Sequence, residues 1–504
     1  MARYKTTDAA AGQGFFLEVN LKEQLIPGTF EYMLNELIGT KIDISVFDKN
    51  YKNDQTGASA IPPAVLLKLI IYGYKKGMKS SRRIGELNRN NVAAKALTGA
   101  MDIHWTTIAD FISGNSGNFK EIFALVLFYC NELELIGGTD YSIDGLRLPS
   151  NASMDMSGTK EELAERLEMY RKMSGKHIKR HLKKDAAGEA DEDTVKKYEK
   201  RQQRLARQIE KLDEFVKTME KKIGQSGEEI KTNVTDKDSA MIHSSKGFIQ
   251  GYIGMAVSDS KNQVITGAIA AGSANEGEHL PEILDEHREN IKKAGVNESE
   301  DGKPPSFTMD SNYFSEKNLR ECEERGIEAI IPDGQKKRRL NDEGEKRYDI
   351  DDFKYDETED SYECPNGKKL AYKRQTEQKG VKGKVYQASL TDCKACPFFS
   401  ECSWSRKEQS ALNQGKQLRV TEQNKPDSLC QKMRKKLETE ECQAKYARRI
   451  QIVEPVFANI RYCKGLDRFT LRGKEKVNGQ WLLYCMVHNL GKCLDGYNER
   501  RKSA

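Results

Sequence analysis

Over the first 138 residues apolar positions recur at helical steps, and only Ile42 to Phe47 carries a trace of strand alternation. "PPAVLLKLIIYGYKKG" opens on Pro-Pro, places apolar residues three and four apart and stops at Gly77, which predicts a helix. A basic segment from Ser80 to Leu97, the stretch "DIHWTTIADFISGN" and an apolar helix from Phe119 to Leu135 follow. Short helices with Ser, Thr or Asp caps suit a helix-turn-helix-like DNA-binding unit. A plain helical bundle used for packing or dimerisation fits the same pattern.

The pattern changes after Gly137-Gly138. "YSIDGLRLP" alternates and breaks at Pro149, predicting a strand with Asp144 near its middle or end. From Thr159 to Ile223 the chain is highly charged, with Leu205, Ile209, Leu212, Val216, Met219 and Ile223 at helical spacing and Gly188 as a break, so a helical hairpin is expected. "GFIQGYIGMAVSD" and "QVITGAIAAGS" predict a β-hairpin turning at Ser260 to Asn262, followed by a helix ending at Gly295. "PSFTMDSNYFSEKNLRECEERG" reads as a strand running into a helix with Asp310 at the junction, and "IEAIIPDG" as another strand. Gln335 to Glu441 is polar and irregular, starting with the basic cluster Lys336 to Arg339. The last two elements are a helix at "IVEPVFANI" and an apolar helix from Trp481 to Leu494, in which His488 is a packed polar residue. Strands followed by strand–helix alternation define an α/β pattern whose sites gather at strand ends.

At 504 residues the chain exceeds one ordinary core, so two to four domains, or one core with large insertions, are expected. No apolar run approaches the length of a membrane span and the N-terminus has no apolar signal core, which predicts a soluble intracellular protein. The net charge of +6 is unevenly spread. Lys445 to Lys476 holds nine Lys or Arg against three acids, and Lys79 to Lys95 holds five against Glu86. Such clusters suit phosphate backbones, although many are only solvated faces.

Eleven cysteines in an intracellular chain point to metal or burial rather than disulfides. Cys130, Cys322, Cys463, Cys485 and Cys493 lie in apolar or helical contexts and read as core. Cys364, Cys393, Cys396 and Cys402, in "ECPNG" and "DCKACPFFSEC", offer four thiolates that could close a tetrahedral zinc site, with unliganded thiols as the alternative. Three carboxylates stand out: Asp144 on the first strand, Asp310 after a later strand, and Glu454 at the start of a helix whose first turn is fixed by Pro455. Val453, Val456, Phe457 and Ile460 form its apolar stripe, and Arg461 falls on the side of Glu454. Two Mg²⁺ ions about 4 Å apart need oxygen ligands from a few rigid elements. Taken singly, each acid is as well explained as a turn residue, a helix cap or a dipole partner.

The blocks "YSIDGLRLPSNAS", "GFIQGYIGMAVSD", "FTMDSNYFS" and "RRIQIVEPVFANIRYCKGLDRFTLRGKEKVNGQWLLYCMVHNLGKCL" resemble bacterial insertion-sequence transposases of the DDE class. "PPAVLLKLIIYGYKKGMKSSRRIGEL" with "DIHWTTIADFISGN" resembles their helical N-terminal domain. The resemblance implies a ribonuclease-H-like mixed-sheet core and a Mg²⁺-dependent (or Mn²⁺-dependent) Asp144, Asp310, Glu454 triad. It implies DNA contacts from Tyr446, Arg449 and Arg461, with Arg449 one residue further from the glutamate than is usual. Arg82 and Arg83 of the basic N-terminal segment are further DNA-binding candidates. "MDSNYFS" also departs from the family, which more often has glycine where Asn312 stands; Asn312 is expected to take the turn conformation glycine favours. The implied organisation is a DNA-binding domain over 1–138 and a catalytic core over 139–158, 230–334 and 445–495. A helical-hairpin (coiled-coil) insertion over 159–229 and a Cys-rich insertion over 335–444 interrupt it. The implied partners are the element's terminal inverted repeats and target DNA, with a homodimer pairing two ends in the bacterial cytoplasm. An inactive or domesticated DNA-binding derivative is the alternative; a structural coiled-coil protein has only Thr159 to Ile223 in its favour.

Overall fold

The computed structural model describes residues 20–51, 59–186, 192–224, 227–244, 247–298, 302–334, 348, 350–378, 381–402 and 415–503. Gly188 and the Lys336 to Arg339 cluster lie outside them.

Six helices open the fold: α1 (Phe30–Glu36), α2 (Pro63–Lys75), α3 (Ser81–Asn90), α4 (Val92–Thr98), α5 (Trp105–Gly114) and α6 (Phe119–Glu132). Side-chain caps account for several starts, with Ser80 accepting from the Arg83 N–H and Asn91 from the Ala94 N–H. Ile42 to Phe47 forms no strand. A π turn over Leu37–Lys41 and a 3-10 turn over Ser45–Asn50 bury Val46 and Phe47 instead, so the alternation reflects two core anchors in irregular backbone.

The main sheet contains β1 (Asp140–Pro149), β4 (Ala240–Ser244), β5 (Gly247–Asp259), β6 (Ile265–Ala271), β7 (Ser306–Met309) and β8 (Glu328–Ile330). β5 is antiparallel to β1, and β4 and β6 both pair antiparallel with β5. β7 runs parallel to β1, and β8 parallel to β7. Alternation along β5 divides the core: Tyr252 and Ala256 face one layer, Ile253, Met255 and Val257 the other. α9 (Leu280–Ala294) and α10 (Glu316–Glu324) contribute to the second layer; the first joins α1 to α6 and the C-terminal helix (Lys474–Ser503) in one continuous core. Trp481 anchors that helix, donating its Nε1–H to the Met255 carbonyl at 2.9 Å.

Between β1 and β4, the short pair β2 (Ser157–Gly158) and β3 (Thr232–Asn233) forms the base of the expected hairpin, α7 (Lys160–Ala186) and α8 (Glu192–Thr218). Leu163, Leu167, Leu212 and Met219 close its seam, whereas Ile223, five residues beyond the helix end at Thr218, is exposed. The segment expected to be irregular holds an antiparallel five-stranded sheet, β9 (Lys354–Asp356), β10 (Ser361–Glu363), β11 (Lys369–Gln378), β12 (Val381–Ala388) and β13 (Gln417–Thr421). Its alternation is hidden because most of β11 is solvated on both faces, with Leu370 its buried residue. Cys463 is exposed, contrary to its core assignment, whereas Cys130, Cys322, Cys485 and Cys493 are buried.

Candidate active site

Asp144 and Asp310 meet because β1 and β7 are parallel neighbours in register, Ile143 opposite Met309, and each aspartate is the next residue along. Asp310 follows the end of β7 and caps a 3-10 turn, accepting from the Ser311 N–H at 2.6 Å and from the Asn312 side chain at 3.0 Å. Asn312 does not take the left-handed conformation expected of it; its side chain holds Asp310 instead. The Asp144 carboxylate accepts from the Gly145 N–H at 2.9 Å and pairs with Arg449 at 2.8 Å. Burial pushes the Asp144 carboxyl up, Arg449 and the Gly145 N–H oppose this, and Asp310 adds to the rise.

A cavity of about 580 Å³ opens beside them, lined by Asp144, Asp310, Arg147, Glu276, Asn312 and Arg461 among others. Glu276 was not singled out from the sequence. It sits in a 3-10 turn just before α9 and is 3% exposed, with Arg147 donating to its Oε1 at 3.1 and 3.2 Å. Burial and then the Asp144 charge push its carboxyl up to about 7. Tyr313 is wholly buried, its hydroxyl has no partner, and Glu276, Asp144 and Asp310 all raise it further above its ordinary range.

The Glu454 helix spans Glu440–Ala458 and packs against β1, β5 and β7. Its start lies well before Glu454: Thr439 caps the Cys442 N–H, and Glu440 and Glu441 fill the first turn. Pro455 is therefore inside the helix rather than in its first turn, which corrects the sequence expectation. Proline removes the N–H that would reach the Gln451 carbonyl. The Gln263 side chain, on the left-handed residue that ends the β5–β6 turn, donates to that carbonyl at 3.1 Å. Val453, Val456, Phe457 and Ile460 are buried as the stripe predicts.

Glu454 itself is exposed and does not line the cavity. On a 3.6-residue period it lies well around the helix from Arg449, which points inward at Asp144. A π turn over Asn459–Cys463 then re-aims the chain so that Arg461 does line the cavity. Tyr446 is half-buried beside Arg449, Asp310 and Asp144, and burial raises its hydroxyl. Arg82 and Arg83 lie on the exposed face of α3, Arg82 stacked 4.7 Å from the Trp105 ring centroid.

Cys364, Cys393 and Cys402 pack against the core of the small sheet. The backbone N–H groups of Lys368 and Lys416 point at the Cys364 and Cys393 sulfurs, each at 3.3 Å. Burial lifts the Cys402 thiol to about 11, with Lys416 opposing and Cys393, Cys396 and Cys364 adding to it. Among the described residues, no group of three or more His, Cys, Asp or Glu side chains is already arranged to hold a metal ion.

Two family models match the chain, a Transposase DDE domain over residues 363–494 and a Transposase domain (DUF772) over residues 19–114. The first covers the cysteine segment, the Glu454 helix and most of the C-terminal helix; the second covers α1 to α5. Together the two matches support an insertion-sequence DDE transposase. No curated protein and no solved structure matches the chain.

Proposed function

We propose that the chain is a DNA transposase that binds the terminal inverted repeats of its element and performs divalent-metal-dependent strand cleavage and strand transfer. Asp144 and Asp310 would hold the metal in the cavity, and Glu454, exposed and outside that cavity, is proposed as the third carboxylate on the family resemblance. The observation that carries this is the placement of Asp144 and Asp310 one residue beyond a paired position on adjacent parallel strands, facing a cavity that Arg461 also lines. The strand order β6-β5-β1-β7-β8, antiparallel on one side of β1 and parallel on the other, supports a ribonuclease-H-like core.

The donor set suits Mg²⁺ or Mn²⁺, because hard ions take carboxylate oxygens and Asp144 and Asp310 present only these. Bound there, such an ion supplies Lewis-acid stabilisation of a phosphodiester under attack. The chain's own groups do the rest. Arg449 orients Asp144 and favours its ionised form, Arg461 offers a guanidinium to the phosphate, and Arg82 and Arg83 face outward for the duplex backbone. Pairing two element ends calls for at least two chains, which supports a homodimer in the synaptic complex.

Cleavage of element-end DNA by the purified protein with Mg²⁺ is the test. Asp144→Asn and Glu454→Gln are each expected to lower the rate by roughly 10³-fold, about 4 kcal/mol of barrier. Full activity of Glu454→Gln removes that residue from the triad. An inactive DNA-binding derivative would bind the ends and cut none.

For the cysteine segment we propose structural zinc held by Cys364, Cys393, Cys396 and Cys402. The amides directed at Cys364 and Cys393 are the kind that steady thiolate ligands. Metal analysis should return one zinc per chain, and Cys393→Ser should lose it; a zinc-free wild-type protein removes the assignment.

A further inference from the structure

We propose that Lys464 is a positioning residue: it fastens the π turn over Asn459–Cys463 and so holds Arg461 in the cleft. This rests on the phosphate-binding role proposed for Arg461 above. Among the described residues Arg461 makes no hydrogen bond or ion pair; its guanidinium carbon lies 5.7 Å from the centroid of the Tyr462 ring, and Tyr462 is itself 76% exposed. A long side chain with no anchor at its tip goes where its backbone sends it, and here that backbone is the π turn.

Lys464 closes the turn twice. Its N–H donates to the Asn459 carbonyl at 3.0 Å, and its ammonium donates to the Asn459 side-chain oxygen. The first residue of the turn and the residue after it are thus tied by main chain and side chain together. His488 Nδ1 stands 3.2 Å from the same side-chain oxygen but has no proton to give, since the ring's proton is on Nε2 and goes to the Gln263 carbonyl. Beyond the turn, Gly465 is left-handed at φ +69° and runs close to the end of α2, where an added Cβ would stand 3.0 Å from the Gly77 carbonyl oxygen. Burial makes Lys464 an expensive choice. It is 3% exposed, and burial together with the nearby Lys75 and Lys492 ammonium groups lowers its own to about 8. Methionine would fill the same space without an unpaired buried charge. What methionine lacks is the proton for Asn459.

The competing explanation is that Lys464 only packs the turn, and a double-mutant cycle with Arg461→Ala separates the two. Mg²⁺-dependent cleavage would be timed with the full-length protein at saturating duplex, the duplex carrying the terminal sequence that flanks the gene, with a melting curve for each variant. Lys464→Met should melt near or above the wild type and lower the maximal rate by about tenfold or more, because a guanidinium displaced by about 1 Å no longer meets its phosphate. In the Arg461→Ala background the same change should lower the rate by less than about twofold. A loss of the same factor in both backgrounds, a full rate in either single variant, or a rate that falls only in step with the melting temperature overturns the role of Lys464 and leaves the proposed cleavage activity standing. A wild-type protein that cuts nothing overturns both. Should Lys464→Met not fold, Asn459→Ala decides the matter in the same cycle, since it removes the acceptor and equal losses in the two backgrounds refute the proposal.

Discussion

His488 shows how one buried polar residue reports on the helix above it. Its Nε2–H donates to the Gln263 carbonyl at 2.9 Å, and the Gln263 side chain in turn serves the Gln451 carbonyl that Pro455 leaves without an N–H. Burial, with Lys464, Lys492 and Lys75 nearby, lowers His488 to about 3, so the folded protein holds it neutral. An unfolded chain takes up that proton below about pH 6.5, and folding stability therefore falls with pH between about 6.5 and 3. At pH 5.5 the loss from this group is about 1.4 kcal/mol relative to neutral pH. In urea titrations at pH 7.5 and 5.5, His488→Gln should lose stability by about that much less than the wild type does. Residue types also set what could be read in advance. Asp144 and Asp310 were legible because one lies within a patterned strand and the other directly follows one, and His488 because it sits in an apolar helix. Glu276 was hidden among the acids of "NEGEH", where burial, which no local pattern records, distinguishes it from its neighbours.

Among the elements, β5 and the C-terminal helix approach so closely that only glycine fits between them at one point. A Cβ on Gly254 would stand 2.9 Å from the Trp481 ring, whose indole is fully buried. Gly254→Ala should cost roughly 1–3 kcal/mol through overpacking, and Trp481→Leu roughly as much through lost volume. Because both act on one contact, the double variant should cost less than the two combined, measured by urea unfolding. Additive losses would place the strain elsewhere. The proline-started helix α2 and the apolar strands β1 and β5 were legible here. The sheet from β9 to β13 was not, since lysines and glutamates on a solvated strand look like a loop. Nor was the true start of the Glu454 helix, because Pro455 suggested a boundary that the Gln263 side chain makes unnecessary.

Across the whole molecule, residues far apart in the chain share one core and one cavity. No helix among the described residues is long and apolar enough to cross a membrane. The general α/β character and the order of the blocks were legible from patterning. What stayed hidden was the joining of α1 to α6 with the C-terminal helix, since both faces of that contact are simply apolar in sequence. The cavity draws on Asp144, Glu276, Asp310 and Arg461, in that order along the chain. That order has a consequence during synthesis. At about 5–20 residues per second, the ribosome needs roughly 15–60 s to travel from Asp144 to Arg461. The helices α1 to α6 would emerge first, but the C-terminal helix that completes their core comes last, so both that core and the cleft would close only as synthesis ends.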